Sequence, residues 1–171
     1  MTGKALTYLK WGFFFLFFHI TVGRFDLLPD FLGTFLILQA FRCQKMTETE
    51  RRMCPLLILL GLDHFLHWIL VFDNELESLL VTVISTYVIF ILLGEVALRV
   101  QDTQPEQADW LHKIRTIYAI LQVLNYLLGA YNIAVITMAL AIGFVIVLLA
   151  LLTVIFRIEP VEKENVERVL L

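Results

Sequence analysis

Asp63, His64 and His67 interrupt an apolar run, residues 55–72, that is long enough to cross a lipid bilayer. A helix turns by about 100° per residue, so with Asp63 at 0°, His67 falls at about 40° and His64 at about 100°. All three share one face, and Asp63 and His67, at i and i+4, are within side-chain reach of each other. Ionisable groups at that depth are costly in hydrocarbon and are therefore paired or turned toward a polar cavity. Imidazole titrates near neutrality, and a carboxylate beside it attracts a proton or cation, so the trio suits proton transfer or a cationic ligand. Imidazoles also suit transition metals, and a metal, if any, falls to His64 and His67. Their spacing is HxxH, not the HExxH of a zinc protease.

Further polar residues on other spans reach a comparable depth. Residues 27–42 cover only about 22 Å at helical rise, which brings Asp30, just behind Pro29, several ångströms inside the outer leaflet. His19 lies about 13 Å along its helix from Lys10. Asn125 and Asn132 flank the outer end of the last pair of spans, with Gln122 one turn deeper than Asn125. Four spans thus carry polar groups into the outer half of the membrane. The expectation is an outward-opening pocket with Asp63 as central charge, His67 as its partner, His64 and Asp30 as secondary ligands, and His19 and Asn125 as the opposite wall. Plainer roles stay open: His19 as a hydrogen-bonded core residue, Asp30 as a helix-start carboxylate.

The elements that must position these groups follow from composition. The chain has 171 residues, 60% of them hydrophobic and 17% charged, with a mean hydropathy of +0.83. That is an integral membrane protein rather than a soluble domain. Apolar runs at 5–23, 27–41, 55–72, 76–98, 114–128 and 131–156 predict an all-α, polytopic protein with six transmembrane helices in three hairpins. A single transmembrane domain then covers 1–157, and a charged tail covers 158–171. With the N-terminus inside, twelve of the thirteen Lys and Arg residues fall on the cytoplasmic side and only Arg24 falls outside. Both termini are therefore expected in the cytoplasm. Pro105, with Glu106 and Asp109 behind it, suits the start of a helix.

A net charge of −3 gives no general attraction to nucleic acid, and the basic residues read as topology determinants and lipid contacts. Cys43 and Cys54 belong to no CxxC pair. The absence of GxSxG, Walker A and Rossmann glycine patterns removes the commoner motif-recognised enzymes and nucleotide-driven pumps, and no cofactor is expected. Ala139 and Gly143 form a small-xxx-small pair suited to close helix approach, within the bundle or toward another subunit. Glu95 and Arg99 read as an interfacial i, i+4 ion pair, and Tyr87 as a packing residue or a pocket hydroxyl.

The stretch Leu28-Pro29-Asp30-Phe31-Leu32-Gly33-Thr34, after an aromatic-rich first span, resembles a group of small bacterial integral membrane proteins whose second span opens Leu-Pro-Asp-Phe-Ile/Val-Gly-Tyr. Thr34 stands where the group has tyrosine, and the match covers about forty N-terminal residues. The resemblance implies a bacterial cytoplasmic membrane and no particular reaction. Taken together, these features predict a protein that binds or transports a proton, cation or small polar solute, with the lipid bilayer as its main partner. The alternative is a non-catalytic membrane subunit or assembly partner of a larger complex. An intramembrane metal-dependent enzyme comes third.

Overall fold

A computed structural model of the chain describes residues 1–18, 21–22, 25–26, 30–69, 75–129 and 134–160. Among these it is all-α, with six helices: α1 Gly3–Phe17, α2 Asp30–Arg42, α3 Glu48–Ile69, α4 Glu75–Val100, α5 Pro105–Gly129 and α6 Ala134–Arg157. A two-residue antiparallel ladder pairs Thr21–Val22 with Phe25–Asp26. The helices divide between two compact units, 1–72 with 158–171 and 73–157.

Local chemistry sets the helix ends. Thr2 caps α1, its hydroxyl accepting the Ala5 amide at 3.3 Å. Helix α3 begins with a reciprocal capping box: the Thr47 amide donates to Glu50 Oε2 at 2.8 Å, and the Glu50 amide donates to Thr47 Oγ1 at 3.1 Å. That start lies seven residues before Pro55, where the apolar run begins, because the first two turns of α3 are polar and an apolar count does not see them. Pro105 opens α5 as expected, in the position where its missing N–H costs nothing. Amides of Thr103 and Gln104 close the end of α4 on the Val100 carbonyl, at 3.1 and 2.7 Å.

In the first unit α2 packs against both α1 and α3. The α1–α2 crossing is made by backbone. A Cβ on Gly33 would lie 2.7 Å from the Gly12 carbonyl oxygen and 2.8 Å from the Leu16 amide nitrogen. Phe13, Leu9, Ile37 and Phe41 fill the space around this glycine contact and are buried. Ile158 is buried here too, its carbonyl accepting from Lys10 Nζ at 2.8 Å, and Pro160 packs beside Gly3. The tail expected from residue 158 thus begins with a docked segment.

In the second unit α5 packs against both α4 and α6, around Leu92, Leu93, Leu111, Leu151 and Ile155. The small-residue pair Ala139/Gly143 takes no part in this packing: Ala139 is exposed, and a Cβ on Gly143 would meet no atom within 4 Å. Gly143→Leu is accordingly expected not to destabilise the purified chain and, by helix propensity, to raise its unfolding free energy by up to about 1 kcal/mol, measured by thermal circular dichroism in detergent.

Three helices among the described residues are long and apolar enough to cross a membrane: Glu48–Ile69, Glu77–Val100 and Val135–Arg157. This corrects the six transmembrane helices expected from the sequence, the second of which was already counted as short. With 15 and 13 residues, α1 and α2 reach only about 20 Å, short of the roughly 30 Å of hydrocarbon. Helix α5 is long, but its first half carries Glu106, Asp109, Lys113 and Arg115. The hydroxyls of the apolar helices are satisfied locally. Thr82, Thr86 and Thr153 each donate to the carbonyl one turn back, at 2.7 to 2.8 Å. In hydrocarbon, where no water replaces a missing bond, that lets a threonine face lipid at low cost.

Candidate functional site

On α3 the Asp63, His64, His67 face forms as the helical spacing predicts. The Asp63 side chain is 18% exposed and that of His67 39%, with 3.6 Å between Asp63 Oδ2 and His67 Nδ1. The two side chains are therefore in contact without the direct hydrogen bond that i, i+4 spacing allows, and they form an ion pair when the imidazole is protonated. His67 Nδ1 lies nearer the backbone carbonyl of Asp63, at 3.2 Å. A carbonyl oxygen can only accept, so Nδ1 carries a proton in this contact, and in the neutral ring Nε2 is the basic nitrogen. The group accordingly offers a carboxylate oxygen and an imidazole Nε2, the two donors that a proton, a metal ion or an organic cation would use. His64 is half-buried on the adjoining part of the face, its Nδ1 atom shielded from solvent.

Helix α2 brings Asp30 to the same level. A Cβ on Gly61 would lie 3.4 Å from Thr34 Cγ2, which fixes the register of α2 against α3. One turn further along, the Phe31 ring meets Phe65 edge-on at 5.2 Å and Trp68 at 5.8 Å. Asp30 therefore stands within a turn of His64 to Trp68, with its Oδ1 atom buried. The Asp-Phe-x-Gly-Thr stretch thus reads as one packing device. Asp30 opens the helix, Phe31 builds the aromatic cluster, Gly33 lets α1 approach, and Thr34, 2% exposed, fills the place beside Gly61.

The remaining predicted residues divide. Asn125 belongs to the second unit, where it is exposed on α5. His19, Asn132 and the tail beyond residue 160 lie outside the described residues. Tyr87, 55% exposed, lines a cleft between α4 and α5 in the second unit. Sequence reasoning passed over Phe31, Phe65 and Trp68. The available signal was a tryptophan four residues beyond His64, at the end of an apolar run where amphipathic rings collect.

No protein-family model matches the chain, and neither a curated protein nor a solved structure is detectably similar to it.

Proposed function

We propose that the protein resides in the bacterial cytoplasmic membrane, its six helices forming three hairpins with both termini in the cytoplasm. On this reading the first unit carries an outward-facing polar pocket that binds or moves a proton, a cation or a small polar solute. The observation that carries the proposal is the Asp63–His67 contact at 3.6 Å on a helix apolar enough to cross a membrane. A carboxylate and an imidazole kept together in such a helix are costly for stability alone, and their retention is explained by use. His64 and the level of Asp30 against α3 support the same assignment, as further polar groups at that depth. The alternation of basic residues along the chain supports the orientation.

The test is flux through the purified full-length chain in liposomes carrying an interior pH-sensitive dye, driven by a potassium diffusion potential. Wild type is expected to acidify the lumen faster than protein-free liposomes. Asp63→Asn and His67→Ala should fall to the protein-free rate while inserting to the same extent. If wild type moves neither protons nor thallium, a monovalent cation read with its own dye, the transport reading fails.

A role as a membrane subunit has one observation in its favour, the uncovered Ala139/Gly143 face of α6. Small residues facing lipid let another helix approach closely. A stoichiometric partner co-purifying from native membranes, and lost on Gly143→Leu, would support that reading.

A further inference from the structure

The second unit contains a feature unrelated to the Asp63 face. Between α4 and α5 runs a cleft of about 440 Å³, lined along α4 from Leu79 to Phe90 and along α5 from Ala119 to Leu127. Its walls are apolar apart from threonine, tyrosine and glutamine side chains, and Thr82 and Thr86 donate back to their own helix. Val83, Tyr87, Val123 and Tyr126 are each more than half exposed, so the cleft is open along its length. From Leu79 to Phe90 it measures about 16 Å at helical rise, close to the roughly 15 Å of one leaflet of hydrocarbon, and it runs parallel to the helices as an acyl chain does.

Among the described residues, a cation stands at one end of the cleft only. The Arg115 guanidinium carbon lies 4.7 Å from the centre of the Phe90 ring, the last lining residue of α4. One turn beyond, Gly94 makes room for the group: any Cβ there would collide with Arg115 Nη1. Arg115 Nε is buried and has no hydrogen-bond partner among the described residues. Lys113, two residues away, is by contrast paired with Asp109 at 2.6 Å. Arg99 and Lys113 mark the same end of the helix pair as the membrane surface. A guanidinium stacked on one ring face still presents a planar fork of N–H donors, the geometry that matches phosphate.

We propose that this cleft holds one acyl chain of an anionic phospholipid from the leaflet that meets Arg99, Lys113 and Arg115, with Arg115 binding the lipid phosphate. Charge, direction and length agree on that occupant. A helix of a second copy would fill the apolar length but leave the guanidinium without an anion.

Native mass spectrometry of the full-length protein, purified in mild detergent from nanodiscs of mixed phosphatidylcholine and phosphatidylglycerol, tests this. Wild type should retain phosphatidylglycerol over phosphatidylcholine. Arg115→Gln should lower that preference by at least about fivefold, the scale expected for one arginine at an anionic surface, and Arg115→Lys should lower it less. Thr86→Trp, which fills the cleft and leaves Arg115 in place, should release the lipid with an unchanged circular dichroism spectrum. It keeps the test decisive if Arg115→Gln folds poorly. Inorganic phosphate at millimolar concentration should not displace the lipid. The proposal is overturned by equal retention of the two lipids in wild type, or by lipid retention that survives Thr86→Trp. It is equally overturned if phosphate alone displaces the lipid, which marks a simple anion site, or if Thr86→Trp dissociates a dimer with lipid retention unchanged, which marks a copy-to-copy interface.

Discussion

Gly33→Ala lowers the unfolding free energy of the detergent-solubilised chain by about 1–3 kcal/mol, and Gly33→Leu prevents the first unit from packing at all. The sign is informative, because in an unconstrained helix alanine exceeds glycine by about 0.5–1 kcal/mol. Two of the three atoms that the new Cβ would meet, at 2.7 and 2.8 Å, are backbone atoms of α1, so no rotamer change relieves the clash. The helices must move apart, which loosens the contacts of Phe13 and Ile37. Gly12→Ala is milder, since its closest neighbour, at 2.7 Å, is the side-chain Cγ1 of Ile37 and the nearest backbone atom is 3.0 Å away. The expected order of damage is Gly33→Ala, then Gly12→Ala, with Gly143→Ala stabilising by about 0.5–1 kcal/mol, as for any unobstructed helical glycine. Thermal circular dichroism on the three variants checks it, and equal midpoints for Gly33→Ala and Gly143→Ala rule the crossing out.

The second large effect falls on Glu50. It is 1% exposed although it lies in the charged segment that precedes the apolar part of α3. Its carboxylate accepts the Thr47 amide, and truncation to alanine leaves that donor without its partner beside a cavity the size of a carboxyl group. Loss of a buried hydrogen-bond partner costs about 1–3 kcal/mol, and loss of the cap lies within the same range. Glu50→Ala is therefore expected to lose about 2 kcal/mol overall, while Glu50→Gln, which keeps an accepting oxygen, recovers most of it. The start of α3 should fray in the alanine variant. Trypsin would report this as faster cleavage at the exposed Arg51 and Arg52, with cleavage at Arg157 as reference. Unchanged cleavage at all three sites would contradict the capping role.

These two positions show what the sequence makes legible. Helix existence was readable from apolar runs: the helix ends at Arg42, Glu75, Val100 and Arg157 fall within two residues of expectation. Runs of apolar residues report burial in hydrocarbon, however, not helix length. They missed the polar first turns of α3 and overstated the reach of α1, whereas Pro105 marked the start of α5 and counting had already made the second span short. The Thr47-Glu48-Thr49-Glu50 capping pattern was present as a motif and needed only to be sought. Gly12 and Gly33 carried no such signal, because their partnership is between helices and neither belongs to a spaced pair within its own. Ala139 and Gly143, which do have the familiar spacing, are uncovered in the second unit.

The candidate site was legible to the same degree. Spacing alone put Asp63, His64 and His67 on one face, since that depends only on helical geometry. Counting put Asp30 near the level of that face, and the Phe31 contacts with Phe65 and Trp68 bring it alongside that part of α3. That His67 Nδ1 favours the Asp63 carbonyl over its carboxylate could not be counted, because it depends on a rotamer. The stacking of Arg115 on Phe90 likewise joins two helices through a space that Gly94 leaves empty.

The bond from Lys10 to the Ile158 carbonyl joins residues 148 positions apart in the chain. At roughly 5–20 residues per second of synthesis, about 7 to 30 s pass between the appearance of the amine and that of its acceptor. Through that interval α1 and α2 must hold together on their glycine contact, the apolar side chains around it and the packing of α2 on α3, and the segment at Ile158 arrives later, as a latch on a pair already formed.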